Sequence, residues 1–136
     1  MTQVFARHRE ETKMQFFANA LKLAKAICRF SNSKKYFSKK NTYSYAQELR
    51  LKVLELLNNI TYANSIFPTD EFLLSKREYY QQLAIANCFQ LQNMLHVYIE
   101  SIETIKFENM DFIGDLVHEI DLLKGWQKAN RIYPKK

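Results

Sequence analysis

Apolar residues recur every third or fourth position along most of the chain, the period of helices that bury one stripe. The clearest seam is Ala46, Leu49, Val53, Leu56, Ile60 and Ala63, whose alternating spacings of three and four fit a helix packed along its length in a bundle. Ser44 with Gln47 three residues on has the spacing of a capping box and places the start of this helix near Tyr43; Pro68 stops it after Ile66. Phe16, Ala20, Leu23, Ile27 and Phe30 predict a preceding helix over about 11–31, behind a polar, basic lead-in at 1–10. After Pro68, Thr69, Asp70 and Glu71 place acids at the positive end of a helix dipole. The helix they start carries Ala84, Cys88, Leu91, Leu95, Tyr98, Ile102 and Ile105, and is expected to run over about 70–104. Ile113, Leu116, Ile120 and Leu123 predict a fourth helix over about 110–130, with Asn109 as its cap. Four helices with three short connections give an all-α, up-down-up-down four-helix bundle, expected as a single domain over 1–136 with a basic tail at about 131–136.

Composition supports this class. Two glycines and two prolines are too few for the turns of a β-sandwich or an α/β fold of this length, and 47% hydrophobic residues suffice for a core. The net charge of +6 is unevenly spread. Residues 1–52 hold 12 Lys and Arg against 3 acids, residues 53–127 hold 4 against 11, and the tail adds four bases. A basic patch of this kind attracts phosphate backbones or an acidic partner; equally, the acidic middle can meet the basic half of a neighbouring subunit. The outer face of the first helix carries Lys13, Lys22, Lys25 and Arg29 with no acid after Glu11, so it lacks the opposite-charge pairs that support a lone surface helix. The connection at 31–41 sets Tyr36 and Phe37 between Lys34, Lys35, Lys39 and Lys40. Aromatics among lysines suit single-stranded nucleic acid. Two rings do not make a platform, however, and the preferred reading is that they tuck the loop onto the bundle end.

Catalytic chemistry finds little support. Di-iron bundles need two Glu-x-x-His pairs and two further glutamates; the nearest approach is Asp115-x-x-His118 with Glu119, which reads as a surface carboxylate–imidazole pair. No aspartate or glutamate stands in an apolar run that would raise its pKa convincingly. No Gly-rich phosphate loop, Cys-x-x-Cys or Ser/His/Asp arrangement is present. The chain is expected to be no enzyme and to need no cofactor or metal. His96 reads as a core or interface residue, Cys28 and Cys88 as buried free thiols, and Asn58, Asn59, Asn64, Asn87 and Asn93 as amides that fix register. Gly125 is expected to permit close helix approach, with Trp126 covering the bundle end. With no secretory leader and no run of about 18 apolar residues, the expected location is the cytoplasm, with no membrane partner.

Tyr43-Ser44-Tyr45-Ala46-Gln47-Glu48-Leu49-Arg50, followed by Ile60-Thr61-Tyr62-Ala63-Asn64-Ser65, resembles the second helix of the accessory variability determinant (Avd) proteins of diversity-generating retroelements. These belong to a wider four-helix-bundle family that includes proteins encoded by intervening sequences in ribosomal RNA genes. The ending Leu123-Lys124-Gly125-Trp126, with Lys128, Arg131, Lys135 and Lys136 behind it, is also similar, and helix lengths fit over about 12–130. The resemblance implies a basic, non-catalytic bundle that assembles as a homopentamer and binds a reverse transcriptase and nucleic acid. Error-prone copying of template RNA into cDNA requires such proteins. Two features depart from the family. The arginine pair common in the third helix corresponds to Gln92 and His96, and a Gly-Arg pair before the ending corresponds to Ile120-Asp121. Basic charge is concentrated instead on the first helix, the loop and the start of the second. Lys25, Arg29, Lys34, Lys35, Lys39, Lys40, Arg50 and Lys52, with Lys128 and Arg131 of the tail, are therefore the candidate contacts to nucleic acid or reverse transcriptase. The departures leave room for a standalone RNA-binding bundle of the intervening-sequence type, or for a protein–protein scaffold.

Overall fold

A computed structural model describes residues 15–38 and 40–135. Four α-helices stand among these residues: α1 (Gln15–Ser31), α2 (Lys40–Ser65), α3 (Glu71–Ser101) and α4 (Ile113–Lys128), with a 3-10 turn at Phe107–Asn109. Each helix packs antiparallel on its neighbours in sequence, and α1 closes the ring against α4; the pairing of the two longest helices, α2 and α3, is the most extensive. The result is the expected all-α, up-down-up-down bundle.

The apolar seams form its core. Phe16, Ala20, Leu23, Ile27 and Phe30 of α1 are buried, as is the whole α2 seam from Ala46 to Ala63. Leu91 and Leu95 of α3 and Leu116 and Leu123 of α4 meet them in the middle. Of the five asparagines expected on or near the seams, Asn59 and Asn87 are buried, and Asn59 Nδ2 donates to Asn87 Oδ1 at 2.7 Å across the α2–α3 interface. Asn58, Asn64 and Asn93 are exposed. Truncating Asn59 to Ala would leave the Asn87 carbonyl buried without this donor, an expected loss of about 1–3 kcal/mol in a urea titration. An unchanged midpoint would mean that water reaches Asn87.

Several boundaries differ from the expected ones. The lead-in at 1–10, and the stretch from Glu11 to Met14 assigned to the first helix, lie outside the described residues. α2 begins at Lys40, so Ser44 is inside the helix instead of capping it. Thr42 is buried one turn before Ala46, which extends the seam and draws that turn into the helix. Asp70 caps α3 as expected, accepting from the Leu73 N–H at 2.8 Å. That helix ends at Ser101. Ile102 is extended, and it and Ile105 are buried from the connection. Burial at a spacing of three imitated a helix, whereas the β-branched run Ile102, Thr104, Ile105 favours leaving one. Asn109 accepts from the Lys106 N–H at 3.1 Å and so closes the 3-10 turn; α4 starts after Phe112 with no side-chain cap. A Cβ at Gly125 would meet nothing within 4 Å, so this glycine does not serve a close approach.

Candidate nucleic-acid interface

The outer face of α1 presents Lys22, Lys25 and Arg29 one turn apart, all exposed. Arg29 lies in the last turn, where a cation complements the helix dipole. Beside this face runs an open groove of about 780 Å³, walled by α1, the loop after it and the start of α4. Lys22, Lys25 and Arg29 line one side, and Asp111 and Asp115 the other. Lys22 reaches Asp115 at 3.4 Å, but its ammonium stays largely in water and the pair holds little energy. Lys25 and Arg29 make no ion pair among the described residues.

The loop adds Lys34 and Lys35, both exposed. Its two aromatics turn inward. Phe37 is buried edge-on to Phe30, Tyr36 packs tilted against the same ring, and Phe112 closes the cluster from the start of α4. These rings anchor the loop, as preferred from the sequence, and are not free to stack on bases. The Lys35 ammonium lies 5.6 Å from the Tyr36 ring centre, so the charge is carried over a packed base.

The remaining candidates are placed differently. Arg50 donates to Ser31 Oγ at 3.2 Å and to Asn32 Oδ1 at 3.1 Å, tying α2 to the end of α1. Lys52 pairs with Glu55 at 2.8 Å and is largely covered. Lys39 and the side chain of Lys40 lie outside the described residues. Lys128 and Arg131 are exposed at the opposite end of the bundle, Arg131 with its guanidinium 4.6 Å from the Tyr133 ring. The candidates thus divide into a groove-and-loop group (Lys25, Arg29, Lys34, Lys35), a bracing pair (Arg50, Lys52) and a distant pair (Lys128, Arg131).

Two ionisable side chains inside the bundle were not expected. Glu119 is fully buried on α4, facing α1. Its Oε1 accepts from Asn19 Nδ2 at 3.1 Å, while Oε2 is buried without a hydrogen-bond partner. Burial pushes its pKa up to about 8, and the Asn19 bond offsets only part of the rise. His118 is exposed and Asp115 half-buried, whereas Glu119, expected to lack an environment that raises its pKa, points inward. Leu116 three residues before Glu119 and Leu123 four after mark it as a seam position. Cys88 is a buried thiol, raised to about 12 by burial and then by the nearby Glu119. Cys28 is half-buried, and both thiols are free. The second unexpected group is Arg77 of α3, half-buried against Trp126. His96, expected at a core or interface, is exposed and 3.8 Å from Glu100.

Among the described residues, no group of three or more His, Cys, Asp or Glu side chains could hold a metal ion, and no helix is long and apolar enough to cross a membrane. Compared with family models, with curated proteins and with solved structures, the chain matches none.

Proposed function

We propose that this chain is a non-catalytic accessory protein of a diversity-generating retroelement, which holds template RNA or cDNA near a reverse transcriptase. The observation that carries the nucleic-acid part is the groove-and-loop group: Lys25 and Arg29 on α1 and Lys34 and Lys35 in the loop after it are exposed and free of ion pairs among the described residues. Cations without an ion pair on a fixed surface gain most from phosphate, because no carboxylate partner is given up on binding. The reverse transcriptase and the retroelement rest on the likeness of α2 and of the Gly-Trp ending to Avd proteins. Cytoplasmic location follows from the same reading.

Replacing Lys25, Arg29, Lys34 and Lys35 together with Gln is expected to weaken single-stranded RNA binding and to flatten the slope of log affinity against log salt by as much as about 3, at roughly 0.7 per phosphate contact. The side chains are exposed, so the bundle should keep its helicity. An unchanged slope would place the nucleic-acid surface elsewhere. Failure to recover the neighbouring reverse transcriptase in a pull-down, at low and at moderate salt, would count against the retroelement reading and favour a standalone RNA-binding bundle of the intervening-sequence type.

Self-association belongs to the same proposal. Leu51, Leu54 and Tyr62 stand about half-exposed on the outer side of α2, an apolar stripe suited to a neighbouring subunit. The homopentamer is supported by resemblance, and light scattering tests it. An assembly with no salt-dependent affinity for RNA would instead fit a protein–protein scaffold.

A further inference from the structure

At the end of the bundle away from the lysine loop, the start of α1 meets the end of α4. The Trp126 indole stacks on Phe16 with ring centres 3.9 Å apart and planes 11° from parallel. The Arg77 guanidinium sits 5.2 Å from the indole centre on α3. The chain after α4 then folds back. The Tyr133 N–H donates to the Pro68 carbonyl at 2.9 Å, and the Tyr133 ring stacks on Phe67 at 5.0 Å. These groups enclose a cavity of about 290 Å³, walled among others by Phe16, Phe67, Arg77, Trp126, Asn130 and Tyr133.

Arg77 is the unusual member of this wall. Its Nε is buried without a hydrogen-bond partner, and among the described residues no carboxylate pairs with it. Burial disfavours its charge. A guanidinium nitrogen taken out of water without a partner is costly, even where the rest of the group is half-buried as here. Asn130, on the same wall, exchanges a reciprocal pair of hydrogen bonds with Gln81 and makes none to the Arg77 Nε. What would relieve it is an anion in the cavity, and a guanidinium fork favours the oxygens of a phosphate or carboxylate. Asn64, Ser65 and Ile66 share the remaining wall with aromatic rings; Phe16 and Arg77 cover Trp126, Arg131 and Phe67 cover Tyr133, and Phe67 is more than half exposed at the mouth. The open face of Phe67 beside an arginine without an anion suits a ligand that joins a planar heterocycle to an oxyanion. The volume lies at the lower edge of the roughly 300–1,000 Å³ of ligand sites, which limits the occupant to one such unit.

We propose that the Arg77 cavity binds a single nucleoside monophosphate unit, its phosphate on the guanidinium and its base on the outer face of Phe67, which Tyr133 backs. This goes beyond the groove-and-loop reading and does not depend on it. The unit is either a free nucleotide or the phosphorylated end of a strand, which share this chemistry.

Trp126 is the sole tryptophan of the chain, so intrinsic fluorescence reports from the cavity wall. Titration with adenosine 5′-monophosphate is expected to give a saturable change. Adenosine, which lacks the phosphate, and inorganic phosphate, which lacks the base, should each bind at least about tenfold more weakly. Arg77→Gln should weaken the monophosphate at least about tenfold with unchanged circular dichroism. Should Arg77→Gln fail to fold, Tyr133→Ala, in the tail outside the helices, takes its place and is expected to weaken the monophosphate several-fold. A 5′-phosphorylated oligothymidylate that binds better than its 5′-hydroxyl form assigns the site to strand ends; binding of the monophosphate without such a difference assigns it to free nucleotide. No saturable change with the monophosphate, equal binding of inorganic phosphate, or a folded Arg77 or Tyr133 variant that binds as the wild type overturns the proposal. The variant with Lys25, Arg29, Lys34 and Lys35 replaced should bind the monophosphate normally, so the two readings fail separately.

Discussion

Glu119→Gln is expected to abolish most of the loss of stability that the wild-type protein suffers between about pH 5 and pH 8, because in that range burial keeps the Glu119 carboxyl protonated in the fold while the unfolded chain releases its proton. The ordinary value of 4.5 applies to the unfolded chain, and the folded value is raised to about 8. Between the two, the native state keeps a proton that the unfolded state releases, and native stability falls as pH rises. The contribution is fully present below about 4.5 and gone above about 8. At about 1.4 kcal/mol per unit of pKa, the span is worth on the order of several kcal/mol. Glutamine is neutral throughout and can still accept from Asn19, so its variant should lack this slope. Urea unfolding of both proteins at several pH values measures it, and the comparison is between slopes, because a buried amide has its own donors to satisfy. Equal slopes would mean that Glu119 ionises in the fold as readily as in the unfolded chain.

Leu56→Ala should lower the unfolding free energy by about 2–5 kcal/mol. Leu56 has no exposed surface and sits midway along the α2 seam, where α2 packs on both α1 and α3. Rigid helices on either side limit how far the site can collapse into the space left behind. Leu51 is the matched control: on the same helix but about half-exposed, it should cost far less on the same change. Equal losses at the two positions would show that Leu51 is covered by another subunit, and dilution would then separate the cases.

The core was legible from spacing. Every seam residue of α1 and α2 is buried, because a stripe at spacings of three and four has one place to go once four helices close a ring. The interior charges were not. Glu119 occupies a seam position, yet carboxylates are so rarely buried that residue type outweighed periodicity. Arg77 could not be found at all, since its surroundings depend on the tail folding back over Pro68. The loop aromatics show the same limit in milder form. Their inward turn is completed by Phe112, far along the chain, and only a tertiary contact chooses between tucking and stacking. Among the cations, exposure of Lys25, Arg29, Lys34 and Lys35 followed from sequence, whereas the bracing role of Arg50 needed the position of Ser31.

The stacking of Phe16 on Trp126 has a practical side. It fixes the first described turn and the last helical turn at one pole of the bundle, while Lys34 and Lys35 occupy the other. A fusion partner or surface tether joined through the C-terminal tail therefore crowds the Arg77 cavity and turns the lysine loop toward the medium. Immobilised protein and freely diffusing protein should disagree about nucleotides while agreeing about RNA, and the choice of attachment decides which face of the molecule an assay reads.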